Sequence, residues 1–446
     1  MKHLRKLASL LLAMVMIFSL AITAFAEKIE ITPPTNTPND VTNTYKIYKV
    51  FDATVTEDGI TYALVNGKEN APEGFNVIDG HVTYAGGTEV EELTPEDIAA
   101  IAAYVTENDL VDTVTSNGTS HAVSEDLDPG YYYITTSTGT VVTINTTTKG
   151  TTTVNDKNTI PTLDKKITSA NSIDEDGKKA LAQIGTEVEY TVTITVGKGA
   201  KNYVFHDKMG SGLNLKADSV TVDGVTTKQY SIYAPGDDDD TLTIEFKDGI
   251  AEGTKITITY KATITESAVT GDPEKNTAYI SYGDGNKTTH KETEVYNAQF
   301  SVNKKDSEGN ALAGAGFVIM NAEKMYYKLE NQSVTWVSDI NDAEEHISSN
   351  DGKVQAFTGL ANGTYKLVEK TVPAGYNKAA DTSFTIAEHD YTAQNLKQAA
   401  DVTNHAGAEL PSTGGMGTTL FYALGGILVV AAVVLLVTKK RMSSAE

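Results

Sequence analysis

Six polar side chains occupy positions where strand periodicity puts apolar ones. Side chains at i and i+2 share a face of a strand. In Phe300-Ser-Val-Asn-Lys304, Lys304 falls with Phe300 and Val302, and Lys305 points the other way. Glu369 falls with Tyr365 and Leu367, and Asn404 with Val402. A second set repeats the pattern: Lys165 with Leu163 and Ile167, Asp207 with Tyr203 and Phe205, Asn276 with Ala278 and Ile280. An unpaired charge on such a face is very costly. Burial disfavours the charged form of an amine and of a carboxyl alike. A neutral amine is a nucleophile, a neutral carboxyl donates a hydrogen bond, and an amide carbonyl can be polarised by that donor. Each trio therefore holds the parts of an acyl transfer to nitrogen. Taken alone, each is also a buried lysine–carboxylate pair capped by an amide, which is the plainer reading of the residues.

The elements that must position these groups are strands. Tyr190–Val196, Thr241–Phe246 and Lys255–Tyr260 alternate with period 2, with Thr on one face and Val, Ile or Tyr on the other, the pattern of half-buried strands in a sandwich. Asp58-Gly59, Asp223-Gly224 and Asp284-Gly285 mark turns. One helix is expected, N-capped by Thr94, with Pro95 at its first position and Ile98, Ile101, Ala102 and Val105 on one face. Breaks at Asn155–Pro161 and near Tyr296-Asn297 divide the chain into three all-β sandwiches over 27–158, 159–297 and 298–408.

Both ends point to export. Residues 1–26 have a basic start (Lys2, Arg5, Lys6), an apolar stretch and Ala24-Phe25-Ala26 before Glu27, the plan of a secretory signal peptide. Near the other end an apolar run, 420–437, precedes Lys439-Lys440-Arg441. Its 18 residues make about 27 Å of helix, enough to cross the hydrocarbon core, with the basic triplet held inside. The chain has 36 Lys+Arg against 59 Asp+Glu, net −23. Without its ends, which hold six basic residues and one acid, 30 face 58. That surface argues against nucleic acid or an anionic membrane as partner. There are no cysteines, so an exported chain must obtain its resistance from something other than disulfides. Asp237–Asp240 lacks the ligand spacing of a calcium loop and reads as a solvated hairpin tip. No metal or other cofactor is expected. His206 is expected to point outward, and Trp336 and Tyr326-Tyr327 to pack locally. No nucleophile–base–acid set for turnover is apparent.

Leu410-Pro411-Ser412-Thr413-Gly414, the apolar run and the basic tail together resemble the LPXTG cell-wall sorting signal of Gram-positive surface proteins. The resemblance implies that a sortase cysteine attacks the Thr413–Gly414 bond and passes the Thr413 carbonyl to an amine. It places 409–446 as the sorting signal and the mature product at 27–413. Phe300–Phe317, Leu360–Tyr376 and Asp401–Asn404 resemble the collagen-adhesin B-type (Cna-B) domain, with Val372 where that family more often has Ala. Pro161–Ile167, Tyr203–Leu213 and Glu274–Ile280 resemble the central domain of sortase-assembled major pilins. The resemblance implies immunoglobulin-like or Cna-B-type sandwiches and two intramolecular isopeptide bonds, Lys304–Asn404 with Glu369 as catalytic acid and Lys165–Asn276 with Asp207. The second would tie the first strand of its unit to the last.

The first unit departs from the pattern. Gly130–Thr136 parallels Gly363–Glu369, so Thr136 stands where the acid would be; any substitute acid is expected from the 89–97 segment, with Lys46 or Lys49 facing Asn158. Val154-Asn-Asp-Lys157-Asn158 resembles the Tyr-Pro-Lys-Asn-like pilin motif, with Asn155-Asp156 in place of Tyr-Pro. It implies Lys157 as the amine that receives Thr413 of the next subunit. The expected protein is a non-enzymatic backbone subunit of a surface pilus supporting adhesion. Its implied partners are a pilus-type (class C) sortase, the housekeeping sortase and peptidoglycan, further copies of itself, accessory pilins and a host or matrix ligand. The alternative is a wall-anchored adhesin that stays single.

Overall fold

The computed structural model describes residues 27–35, 37–56, 59–86, 93–138, 141–147, 150–199, 201–237, 239–407 and 416–442. Within them, sheets dominate. The expected strands form at Glu187–Thr195, Leu242–Phe246 and Lys255–Ile264; the first and third bury every second residue because their apolar side chains recur with period 2, while Leu242–Phe246 buries all but Glu245.

The middle unit packs a four-stranded sheet, in the order Thr162–Ser169, Glu187–Thr195, Lys255–Ile264, Leu213–Asp223, against an eight-stranded one. Val192 and Ile258 from the first sheet meet Phe205, Ile244 and Ile280 from the second in one core. The C-terminal unit packs a three-stranded sheet, Lys353–Leu360, Ala298–Asp306 and Lys397–Asn404, against a six-stranded one. The outer two strands flank Ala298–Asp306, the first antiparallel to it and the last parallel. Phe300 stacks on Phe384 at 3.7 Å between ring centroids in this core.

The first unit has two cores. Its longest strand, Thr42–Thr56, changes phase where its pairings slip, at Ile47/Tyr48 and at Lys49/Phe51. A one-residue slip sends following side chains to the other face. Tyr45 and Ile47 therefore pack with Ile29, Ile31, Ile134 and Val154, while Tyr48, Val50 and Phe51 pack with Val82, Ile101 and Tyr133. The helix forms at Pro95–Tyr104, capped by Thr94 with Asp97 closing a capping box. It buries Ile101 but leaves Ala102 exposed, so its inward face is narrower than the sequence implied.

The units are hydrogen-bonded end to end. Asp284 N–H donates to Ser137 O at 2.6 Å, and Asn286 Nδ2 donates to Ser137 Oγ at 3.0 Å. Farther along, Leu181 and Ile184 belong to the C-terminal core. Ile184 N–H donates to Gly359 O at 3.1 Å, and Trp336 Nε1 donates to Gln183 Oε1 at 2.8 Å. Trp336 therefore ties two units together as well as packing locally against Tyr365 and Tyr327. Gly359, at φ +73°, is required there: a Cβ would lie 2.5 Å from Ile184 Cδ1.

Ile134 is fully buried in the first unit. Ile134→Ala is expected to cost about 2–5 kcal/mol, read as a shift in urea unfolding of that unit. A loss below about 1 kcal/mol would show that this core relaxes around the cavity.

Candidate cross-linking sites and the anchor

The middle site sits between the two sheets. Lys165 projects from Thr162–Ser169 in the four-stranded sheet; Asp207 and Asn276 come from the adjacent strands Val204–Met209 and Glu274–Tyr282 in the other. All three side chains are 0 % exposed. Lys165 Nζ lies 2.6 Å from Asp207 Oδ2 and 5.5 and 5.9 Å from the ring centroids of Tyr190 and Tyr260. Burial brings the amine down to about 8 despite the attraction of Asp207. Burial likewise raises the Asp207 carboxyl, against the opposing pull of Lys165. Asn276 does not lie on the last strand of the unit, as expected, because Lys291–Tyr296 follows and pairs alongside it.

Tyr260 belongs to this site and was missed in the sequence. Its hydroxyl donates to Asp207 Oδ2 at 2.5 Å and accepts from Asn276 Nδ2 at 3.4 Å. Alternation already placed it inward, and a buried phenol hydroxyl needs a polar partner; that was the available signal. Asp207 Oδ1 and Asn276 Oδ1 are buried and have no hydrogen-bond partner. Two acceptor oxygens without a donor in one closed site are a costly arrangement that a proton on Asp207 would relieve.

In the C-terminal unit Lys304 and Asn404 lie on neighbouring parallel strands, Lys304 opposite Val402 and Asn404 opposite Asp306. Glu369 comes from Gly363–Thr371 in the facing sheet. Lys304 and Asn404 are 0 % exposed and Glu369 2 %. The amine donates to the carbonyls of Val402 and Lys305 at 3.1 and 3.2 Å, and burial pulls it below the ordinary lysine range. Glu369 Oε1 accepts from Asn404 Nδ2 at 2.8 Å, and Oε2 from the Ala379 N–H at 2.7 Å. Asn404 Oδ1 is buried without a partner. Lys304 hydrogen-bonds to main-chain oxygens here, so a lysine–carboxylate pair is not what holds it.

The first unit differs. Lys46 pairs with Glu107 at 3.4 Å and Lys49 with Asp52 at 2.6 Å, and among the described residues no lysine is buried in its cores. Its buried acids among the described residues are Glu27, Asp109 and Asp156; Asp109 pairs with Lys68 at 2.7 Å, and residues 89–92 of the expected 89–97 segment lie outside the described residues. Asp156 is the one beside Lys157. Burial raises that carboxyl, which accepts from Tyr45 Oη at 3.2 Å and from the Asn158 N–H at 3.0 Å. Asn158 Nδ2 donates to Thr138 Oγ1 at 3.3 Å. Lys157 stands exposed between these two anchored neighbours.

A further trio also escaped the sequence. His206 Nδ1 lies 2.7 Å from Asp240 Oδ2, and Nε2 lies 2.9 Å from Ser281 Oγ. Asp240 is thus anchored rather than solvated. Ser281 sits inside a strand flanked by neighbours on both sides, away from the sharp turn that presents paired N–H donors to an oxyanion. The trio braces adjacent strands.

Leu410, Pro411, Ser412, Thr413 and Gly414, with the signal peptide 1–26, lie outside the described residues. The helix after the motif runs Met416–Met442, and its Tyr422–Lys440 segment is long and apolar enough to cross a membrane, with mean hydropathy 2.2. The expected apolar run 420–437 lies within that helix.

Residues 298–399 match the prealbumin-like fold domain of the SpaA family, and 402–444 match the LPXTG cell wall anchor motif. The chain is 22% identical over 393 residues to the trypsin-resistant surface T6 protein of Streptococcus pyogenes serotype M6, covering 64% of this chain and 70% of that one. The solved T6 backbone pilin, a modular three-domain structure, superposes with a TM-score of 0.56 at 17% identity, over 83% of this chain and 81% of that one. The backbone protein of group B streptococcus pilus 2b is 26% identical with a TM-score of 0.46, over 56% of this chain and 99% of that one. The fold is therefore a pilin-like, multi-domain β fold. An LPXTG motif followed by an apolar helix makes the protein a cell-wall-anchored surface protein that is held transiently in the membrane.

The middle site has a pH signature. Lys165 titrates near 8 when folded, against 10.5 for a free lysine. Between those values the unfolded chain holds the extra proton, so stability rises with pH across the window. Asp207, whose folded value is raised, acts oppositely: its contribution falls as pH rises through the folded value. In Asn276→Ala, which cannot cross-link, the urea midpoint should climb between pH 8 and 10 relative to Lys165→Met in the same background. A flat difference would show that Lys165 is not depressed.

Proposed function

We propose that this chain is the backbone subunit of a sortase-assembled surface pilus, strengthened by two internal isopeptide bonds and serving adhesion. The observation that carries the reading is the pair of fully buried lysines, each in a closed site with an acid and an asparagine whose Oδ1 lacks a partner. The likeness to the T6 backbone pilin and the anchor motif support the pilus role.

In each site the neutral amine attacks the asparagine Cγ and a protonated carboxyl donates to Oδ1. One proton passes from Nζ to Nδ2, the Cγ–Nδ2 bond breaks, and ammonia leaves. The products are a secondary amide and a neutral acid, so the buried charges disappear. Lys165 would be joined to Asn276 beside Asp207, and Lys304 to Asn404 beside Glu369. The first unit, with no buried lysine among its described residues, would form no such bond and be the easiest of the three to digest.

Between subunits, a pilus-type sortase would hold the Thr413 carbonyl as a thioester and Lys157 of the next subunit would attack it. Exposure of Lys157 between two anchored residues suits that role. Head-to-tail joining does not close and so grows a fibre, which the housekeeping sortase finally ties to peptidoglycan; accessory pilins would join the same fibre.

The purified mature chain should be lighter than its sequence by two ammonias, and Glu369→Ala should retain one of them, both read by intact mass. Tryptic mapping that recovers the unbranched peptide ending at Lys165 in high yield would contradict the middle bond. On an immunoblot of boiled wall extract the wild type should give a high-mass ladder, and Lys157→Ala a single band with unchanged folding. A ladder that persists in Lys157→Ala would refute that lysine; a single band in the wild type would favour an adhesin that stays single.

A further inference from the structure

We propose that Tyr260 is a catalytic residue of the middle cross-link, its hydroxyl carrying to Asn276 Nδ2 the proton that releases it as ammonia. This rests on the isopeptide reading above and adds a residue to it. The two sites solve the same problem with acids of different length. In the C-terminal unit Glu369 Oε1 reaches Asn404 Nδ2 itself, at 2.8 Å. In the middle unit the acid is Asp207, one methylene shorter, and its contact with Asn276 Nδ2 runs through a phenol: 2.5 Å from Asp207 Oδ2 to Tyr260 Oη, then 3.4 Å to Nδ2.

Tyr260 is held for this by its setting. It projects inward from Lys255–Ile264, opposite Tyr190 in the ladder, and the two rings stack at 5.3 Å. Its hydroxyl is bounded by the acid on one side and the leaving nitrogen on the other. Burial and the neighbouring Asp207 keep the phenol in its protonated form, so it acts as a relay and not as a phenolate base.

The protons balance as follows. Lys165 Nζ attacks Cγ and gives one proton to Asp207 Oδ2, while the carbonyl electron pair moves to Oδ1, which takes the proton already on the acid. Nδ2, now on a tetrahedral carbon, gains a lone pair and becomes an acceptor. Both hydrogen bonds at Tyr260 then reverse: the phenol gives its proton to Nδ2 and takes one from Asp207 Oδ2. The Cγ–Nδ2 bond breaks, ammonia departs, and the proton on Oδ1 returns to Asp207. The net change is one proton moved from Nζ to Nδ2, with no outside reagent.

The test uses the full chain in pulse-labelled cells. After a chase, tryptic digestion and mass spectrometry follow two branched peptides, one joining Lys165 to Asn276 and one joining Lys304 to Asn404. Tyr260→Phe, which keeps the ring and removes the hydroxyl, should slow the first by about tenfold or more and leave the second at the wild-type rate. Stability is checked by comparing Lys165→Ala with Lys165→Ala/Tyr260→Phe, where no middle bond can form; both should be fully folded at the growth temperature, the double variant melting lower only by the loss of one buried hydrogen bond. Unchanged branching in Tyr260→Phe overturns the relay alone. Slowed branching with an equally impaired fold in the unlinked pair assigns Tyr260 a packing role and also overturns it. Absence of the Lys165–Asn276 peptide in the wild type overturns the cross-link reading itself, which keeps the two failures distinct.

Discussion

Two lysine amines are held where water cannot reach them, and the middle and C-terminal units are arranged around that constraint. A buried ammonium is tolerated only with excellent pairing, and neither site supplies a full set of partners. Lys165 has one carboxylate oxygen and two aromatic faces. Lys304 has two main-chain carbonyls. Both settings shift the amine toward its neutral form. The facing amides, with their carbonyl oxygens unpartnered, make the same sites poor as resting places for charge and well suited to a reaction that removes it.

The placement of these sites relates to how each unit is closed. In the C-terminal unit the trio spans the parallel pair formed by the opening and closing strands, Ala298–Asp306 and Lys397–Asn404, with the acid supplied from the opposite sheet. A bond there would join the strand that enters the unit to the strand that leaves toward the anchor. In the middle unit Lys165 and Asn276 belong to different sheets, so a bond would lock the sandwich across its core. Without cysteines, such links would be the available covalent reinforcement. The junctions between units are made by main-chain hydrogen bonds and a few side chains, among them Trp336 and Gln183.

The first unit follows another plan. Its long strand is bulged twice and serves two small cores; its buried Asp156 fixes a loop, and its buried Asp109 pairs with Lys68. Asp156 and Asn158 are drawn inward on either side of Lys157. Alternation in an irregular segment with two buried anchors pushes the residue between them to the surface, which is what an accessible amine requires.

The period-2 pattern by itself determined the β architecture and the inward direction of Lys165, Asp207, Asn276, Lys304, Glu369 and Asn404, because facing in a strand follows from local geometry; the helix was read from its Thr94 cap, Pro95 and helical apolar spacing. The anchor helix was equally legible, since its length and apolarity are local properties. What the tertiary structure decided was which inward residues meet. Tyr260 entered the site through the stacking of one strand on its neighbour; Asp156 was drawn inward to accept from the Tyr45 hydroxyl; and Asn276 came to lie on a strand that is not the last. The His206–Asp240–Ser281 trio and the Trp336–Gln183 tie likewise join residues far apart in the chain. Periodicity says which way a side chain points. Register between strands, set by bulges, turns and packing across the core, decides what it points at, and no single segment contains that information.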